Sequence, residues 1–422
     1  MKLKGKIRVG SDKSISQRAL ILSSIAEGKT YIKHLLKSED INHTMRALQM
    51  LGVNIEGKDE YTVIKGKGKF SLKEPQDVLD LGNSGTGMRL LTGLVSGKNF
   101  LTILTGDNSL RKRPMKRIVQ PLRMMGAEID GRENGRLPPL VIRGKYPLNG
   151  IEYKMPVASA QVKSAILLAG LFTQKKVEIE EPSPSRNHTE IMLRSMGVDV
   201  EYLNCLIKLG SNRILYSPKY IEIGADISSA AYFMVATALI PHSQVLFEDL
   251  ILNTTRTGIL DVFQMMNVNF EIKNRKEING EKIGDVMVYY SPHIKGICLK
   301  GDIIPRIIDE IPIICILACK AEGRTMVKDA LELRYKECDR IKVMVENLAH
   351  LGIRCKELPD GIIIEEGKLK EGKVDTHYDH RIAMSFAIAS LISENSIVVD
   401  DTSSIKTSYP MFFEHLKNLT IP

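Results

Sequence analysis

The chain has 422 residues, a formal net charge of +9 and 43% hydrophobic residues, enough for two or three domains with sizeable cores and too apolar for a disordered chain. The Lys and Arg excess draws anions, which leaves nucleic acid, acidic lipid and phosphorylated metabolites as partner classes. Trp is absent and aromatics make up 5%, which counts against a base-stacking platform.

In chain order, a short strand over residues 3–9 leads to Lys13-Ser14-Ile15-Ser16-Gln17-Arg18. These polar residues open an apolar helix, and Thr30-Tyr31-Ile32 reads as the strand after it. An amphipathic helix then closes on Met50-Leu51-Gly52, ahead of the alternating Val53-Asn54-Ile55-Glu56. The same succession recurs. Gly82-Asn83-Ser84-Gly85-Thr86-Gly87-Met88-Arg89 opens the second apolar helix and Ser159-Ala160-Gln161-Val162-Lys163 the third. Asp226-Ile227-Ser228-Ser229-Ala230, Asp309-Glu310-Ile311-Pro312 and Asp379-His380-Arg381-Ile382 open the fourth, fifth and sixth. The amphipathic helices close on Gly52, Gly126, Gly197, Asn267 and Gly352, at steps of 74, 71, 70 and 85 residues, with 412–417 as a truncated sixth copy. Gly or Asn there is the expected left-handed cap.

Each repeat thus reads β-α-β-α-β-β, with the apolar helix buried beneath a sheet. Six repeats exceed one core, so the expected fold is α/β (α+β) in two domains of three repeats. Residues 13–225 form an inserted domain. Residues 1–12 and 226–422 form the other, which holds the leftover first strand.

The Gly82 loop reads as an anion seat. The first N–H groups of a helix lack intrahelical partners, the dipole favours negative charge there, and glycines let an anion reach the backbone. The spacing is neither the P-loop nor the dinucleotide pattern. The other helix starts supply Lys13, Ser14, Arg18, Ser159, Gln161, Asp309, His380 and Arg381, and the loops add Arg113, Arg186, Lys336, Glu337, Arg340 and Lys406. If these starts converge, they form a cationic cleft with a few carboxylates, suited to a ligand with several anionic groups.

These stretches, together with Thr105-Gly106-Asp107 through Arg113-Pro114-Met115, Ser185-Arg186-Asn187-His188-Thr189-Glu190, Lys336-Glu337-Cys338-Asp339-Arg340 and Tyr378-Asp379-His380-Arg381-Ile382-Ala383-Met384, occur in a fixed order. The chain resembles the 5-enolpyruvylshikimate-3-phosphate synthase family over essentially its whole length. The resemblance implies an inside-out α/β barrel type of fold, with the active site in the cleft between two domains that close on substrate. It also implies the reaction: phosphoenolpyruvate and shikimate 3-phosphate give enolpyruvylshikimate 3-phosphate and phosphate, through a tetrahedral intermediate, without a metal or organic cofactor.

Carried over by position, Lys13, Ser14, Arg18, Ser159, Ala160, Gln161, Arg186, Asp309 and Lys336 fall on the shikimate 3-phosphate side. Lys13, Gly85, Arg113, Gln161, Arg340, Arg381 and Lys406 fall on the phosphoenolpyruvate side. Asp309 matches the base near the acceptor hydroxyl, Glu337 the acid/base near the methylene carbon, and Lys13 a catalytic lysine shared by both substrates. At a helix start, Asp309 gains dipole support for its anion. Some positions depart from the family pattern. Asp12 puts an acid beside Lys13, which leaves the strength of anion binding there open. Gln17 replaces the usual Asn, Leu90 a frequent Pro, and Ala160 a second Ser, which leaves sensitivity to the herbicide glyphosate open.

Two rival readings are weaker. The sister transferase acting on UDP-N-acetylglucosamine carries a reactive Cys where this chain has Asn108, and Asn where this chain has Ser14. Arg111-Lys112-Arg113 with Lys116-Arg117 suggests nucleic acid, but no aromatics interleave. The six cysteines form no C-x-x-C pair, so reduced thiols are expected rather than zinc or redox chemistry. No signal peptide and no membrane-length apolar run is read. The expectation is a cytoplasmic monomer whose partners are two small phosphorylated substrates, with no nucleic acid and no membrane.

Overall fold

A computed structural model describes residues 1–421. The chain divides into two compact lobes. One, here the terminal lobe, comprises Met1–Gly10, Gly224–Glu277 and Lys282 onward; the other, the inserted lobe, comprises Ser11–Ile223 and the four residues Ile278–Glu281.

After β1 (Lys2–Ile7), the inserted lobe runs through three repeats. The first has α1 (Lys13–Ile25), β2 (Glu27–Lys33), α2 (Glu39–Met50), β3 (Asn54–Lys58) and β4 (Tyr61–Lys67). The second has β5 (Leu79–Asp80), α3 (Gly85–Ser96), β6 (Leu101–Thr105), α4 (Lys116–Met124), β7 (Glu128–Gly131) and β8 (Leu137–Arg143). The third has β9 (Ile151–Lys154), α5 (Ala160–Gly170), β10 (Val177–Glu180), α6 (His188–Ser195), β11 (Val200–Leu203) and β12 (Leu206–Leu209), and β13 (Tyr220–Glu222) follows.

In the terminal lobe the fourth repeat has α7 (Ile227–Leu239), β14 (Gln244–Ile251), α8 (Gly258–Met265), β15 (Phe270–Ile278) and β16 (Glu281–Tyr289). The fifth has β17 (Cys298–Leu299), α9 (Ile311–Ala318), β18 (Arg324–Val327), α10 (Arg340–His350), β19 (Cys355–Leu358) and β20 (Gly361–Glu365). The sixth has β21 (Gly372–Val374), α11 (His380–Ile392), β22 (Ile397–Val399), α12 (Phe412–Leu419) and β23 (Thr420–Ile421).

Five sheets share one strand order: β3-β4-β2-β13, β7-β8-β6-β5, β11-β12-β10-β9, β15-β16-β14-β1 and β19-β20-β18-β17. In all five the first strand of the repeat pairs in parallel with the second, and the second pairs antiparallel with the fourth. The sixth repeat departs from the expected pattern. Among the described residues only β21 and β22 pair there, and β23 crosses to pair with β1. The first strand of the first repeat is β13, registered Tyr31 to Tyr220. β1 instead serves the fourth repeat, with Lys4 opposite Gln244.

The first helix of each repeat is apolar nearly all round, as its sequence dictates. α1 is buried from Ile15 through Ile25. Helices α3 and α5 approach so closely that a Cβ on Gly93 would lie 2.3 Å from the Ala165 carbonyl oxygen, so only glycine fits. The second helices are amphipathic; α4 buries Ile118, Val119 and Leu122 and exposes Met124. Gly52, Gly126, Gly197, Asn267 and Gly352 all have positive φ, as expected for left-handed caps. Among the described residues no helix is long and apolar enough to cross a membrane.

The carbonyls just past the C-terminal end of α5 carry partial negative charge, and cations sit on them. Arg213 Nη1 donates to Gly170 O at 3.0 Å and Nη2 to Lys175 O at 2.9 Å, while Lys69 Nζ donates to Leu171 O at 2.6 Å. Lys98 Nζ donates to Lys69 O and lies 4.9 Å from the Phe172 ring centroid. Burial, then the Lys69 charge, lowers the Lys98 pKa to about 8 from an ordinary 10.5. Below pH 8 both folded and unfolded chains carry this charge, and the folded one bears the full desolvation penalty. Between the two pKa values the unfolded chain binds more protons, so Lys98 makes stability rise with pH. Lys98→Met is therefore expected to flatten the rise between pH 8 and 9.5 by roughly 2 kcal/mol, read as the difference between parent and variant in urea unfolding. Parallel curves for the two proteins would refute this.

Candidate active site

In the inserted lobe the starts of α1, α3 and α5 are tied side by side. Asp12 caps α1, its carboxylate accepting from Ile15 N at 2.8 Å, and is fully buried. It is thus occupied by the helix. The acid paired with the Lys13 ammonium is therefore Asp40, at 3.1 Å. Gln17 is buried; its Nε2 donates to Ser84 Oγ at 2.8 Å and to Asp40 O at 3.2 Å, and its Oε1 accepts from Thr44 Oγ1 at 2.8 Å. The departure at Gln17 therefore knits α1 and α2 to the Gly82 loop.

Ser84 caps α3, accepting from Gly87 N at 3.1 Å, and Ser159 caps α5, accepting from Val162 N at 3.5 Å. With hydroxyl rather than carboxylate caps, these two starts keep their positive field. Arg113 reaches back to the same loop, donating to Asn83 Oδ1 and, at 3.4 Å, to Asn83 O. A Cβ on Gly85 would stand 2.8 Å from Arg89 Nη1 and 3.1 Å from Arg113 Nη1. Gln161 bridges α5 to α3: Oε1 accepts from Arg89 Nη1 at 2.8 Å and Nε2 donates to Thr86 Oγ1 at 3.0 Å.

Arg18 is buried and donates to Ser14 O at 3.0 Å, Ser164 Oγ at 2.9 Å and Thr189 Oγ1 at 2.7 Å. Ala160 is the first residue of α5, and Arg186 is half-buried in the loop before α6. Lys13, Ser14, Arg18, Gly85, Arg113, Ser159, Ala160, Gln161 and Arg186 therefore all lie on this lobe.

In the terminal lobe the helix starts carry carboxylates paired with arginines. Asp226 caps α7 and takes Arg256 Nη2 at 2.7 Å. Asp379 caps α11, accepting from Arg381 N at 2.8 Å, and takes Arg340 Nε at 2.8 Å. Glu337 Oε2 lies 2.7 Å from Arg340 Nη2. Burial works against the Arg340 charge, but Asp379 and Glu337 more than offset it and hold its pKa above the ordinary value. Arg381 is likewise raised, burial being outweighed chiefly by Asp309.

Asp309 does not begin a helix. Helix α9 starts at Ile311, and Glu310 stands at its cap position without a side-chain cap bond. Asp309 lies one residue before that. Three cations face its carboxylate: Lys336 Nζ at 3.6 Å, Arg340 Nη1 at 3.7 Å and Arg381 Nη2 at 3.8 Å. Arg381 Nη1 also donates to Asp309 O at 2.9 Å. Lys406 is exposed on a 3-10 turn, Ser403–Thr407, and joins none of these ion pairs.

Sequence reasoning did not name Asp40, Arg89 or Asp379 as partners of these groups. Arg89 sits four residues after Gly85 on one helix face, and Asp379 immediately precedes an apolar run. Both positions carried a local signal.

Serine-capped helix starts on one lobe, and on the other a carboxylate with three cations around it, are features suited to phosphorylated anions. The family model for EPSP synthase (3-phosphoshikimate 1-carboxyvinyltransferase) matches residues 1–416. The chain is 46% identical over 419 residues to the 3-phosphoshikimate 1-carboxyvinyltransferase of Thermodesulfovibrio yellowstonii, covering 99% of this chain and 97% of that one. It is 47% identical over 417 residues to the enzyme of that name from Alkaliphilus metalliredigens, with the same coverage. A solved EPSP synthase from Acinetobacter baumannii superposes with a TM-score of 0.88 at 42% identity, over 99% of this chain and 96% of that one. The chain belongs to the EPSP synthase family.

Proposed function

We infer that this chain transfers the enolpyruvyl group of phosphoenolpyruvate to the 5-hydroxyl of shikimate 3-phosphate and releases phosphate, a step in aromatic amino acid biosynthesis. The observation that carries the reading is Asp309, a carboxylate among three cations, in a chain that matches the family over residues 1–416. A base near an anionic acceptor must take a proton from a hydroxyl while cations hold the phosphates.

In this reading Asp309 takes the proton of the 5-hydroxyl as its oxygen attacks the central carbon of the enol. Glu337 delivers a proton to the methylene carbon, which gives a tetrahedral ketal. The new methyl group then returns a proton to Glu337, the bond to the phosphate oxygen breaks, and phosphate leaves with that electron pair. Lys13 serves both substrates. Ser14, Arg18, Ser159, Ala160, Gln161, Arg186, Asp309 and Lys336 are assigned to shikimate 3-phosphate. Gly85, Arg113, Gln161, Arg340, Arg381 and Lys406 are assigned to phosphoenolpyruvate. The family resemblance, carried over residue by residue, assigns the two half-sets to one pair of ligands. The reading takes the protein as a monomer acting in the cytoplasm.

The test is phosphate release from phosphoenolpyruvate by the purified protein. It is expected only when shikimate 3-phosphate is present. Release supported by UDP-N-acetylglucosamine instead, or no release with either acceptor, would overturn the reading.

A further inference from the structure

Three charged side chains are buried together in the inserted lobe, outside both half-sets. Lys163, Glu181 and Glu190 have side-chain exposures of 0%, 0% and 1%. Lys163 Nζ lies 2.9 Å from Glu181 Oε2, 2.7 Å from Glu190 Oε1 and 3.5 Å from Ser185 O. Ser185 Oγ also donates to Glu181 Oε1. Taking three charges out of water is expensive, and well-packed apolar residues of similar size often give equal or greater stability. Fold stability alone is thus a weak reason for this triad.

Its contacts are distributed in a telling way. Glu181 lies just after β10, Ser185 lies within the following loop, and Glu190 lies in the first turn of α6. Lys163, on the rigid core helix α5, thereby grips the loop before, within and after its course, and Arg186 is the next residue after Ser185. The neighbouring Ser164 does the same one step on, meeting Thr189 Oγ1 at 2.6 Å, and both hydroxyls accept from Arg18.

We propose that the buried Lys163–Glu181–Glu190 triad is a positioning device that fixes Arg186 for shikimate 3-phosphate. The triad touches no substrate; it acts through the loop. This inference rests on the reading given above, and the experiment separates the two.

The comparison uses the full-length parent, the charge-neutral triple variant Lys163→Met/Glu181→Gln/Glu190→Gln, Arg186→Met, and the combination of all four changes. Lys163→Met alone leaves two buried carboxylates, so the triple variant guards against misfolding. The triple variant is expected to stay folded, to raise KM for shikimate 3-phosphate at least tenfold and to leave KM for phosphoenolpyruvate within twofold. Adding Arg186→Met to the triple variant is expected to raise KM no further than Arg186→Met does alone. An unchanged shikimate 3-phosphate KM in the triple variant, or parallel rises in both KM values with a fallen Tm, would overturn the proposal. A fully additive effect of Arg186→Met would also overturn it. Failure of the parent to use shikimate 3-phosphate would instead overturn the functional reading.

Discussion

Asp309→Ala is expected to lower kcat by about 10²–10⁴-fold, the range for loss of a positioned proton carrier, while shikimate 3-phosphate still binds. The asymmetry comes from the surroundings of the carboxylate. Lys336, Arg340 and Arg381 each stand within 3.8 Å of it. Removing one negative charge leaves those three cations less neutralised, so their attraction for an anionic ligand increases. KM for either substrate should stay level or fall as kcat collapses. Glu337→Gln is the matching experiment on the other proton carrier. Its amide oxygen can still accept from Arg340 Nη2, now 2.7 Å from Glu337 Oε2, but the group can no longer shuttle a proton. Single-turnover rates with calorimetric binding of shikimate 3-phosphate check both variants. Near-parent turnover in either would remove that residue from its role.

Arg340→Met is expected to damage both stability and substrate use. Asp379 is fully buried and receives Arg340 Nε at 2.8 Å and Nη2 at 3.3 Å. Breaking a buried pair by deleting one partner costs about 3–5 kcal/mol. The two backbone N–H groups of α11 that Asp379 also accepts, from Arg381 and Ile382, soften the loss, so the lower end, about 3 kcal/mol, is expected. The same change removes a cation assigned to phosphoenolpyruvate, and a charge-assisted bond worth roughly 2 kcal/mol corresponds to a KM rise of at least tenfold. Denaturant unfolding and steady-state kinetics report the two effects separately. Asp379→Asn added to Arg340→Met, which keeps the shape and removes the buried charge, should recover part of the stability but not restore the parent. A stability change below about 1 kcal/mol for Arg340→Met would show that Asp379 is satisfied without it.

The repeat was legible because two periodicities are written plainly into the chain. Apolar stretches with polar openings give core helices, and a Gly or Asn with positive φ ends five of the six amphipathic helices. Both are local, so no partner had to be known. Strand exchange was less legible. The pairing of Tyr220 with Tyr31 spans most of the inserted lobe, and no local residue records it.

The same division holds for the site. Ser84 and Ser159 as caps could be read from type and place. The three cations on Asp309 come from α10, α11 and the loop before α10, and only the folded chain brings them to one carboxylate. Asp309 itself misled, because Glu310 and a proline at the second helical position shift the helix start past it.

The exchanged strands carry a consequence for how the protein is made. Leu3 N is bonded to Ser243 Oγ, 240 positions further along. On a ribosome that emits the N-terminal part first, β1 must wait unpaired while the whole inserted lobe emerges and folds. Its other neighbour, β23, emerges later still. A lobe that is synthesised around its sibling thus finishes second, because β1 pairs with β14 only after the inserted lobe has been made.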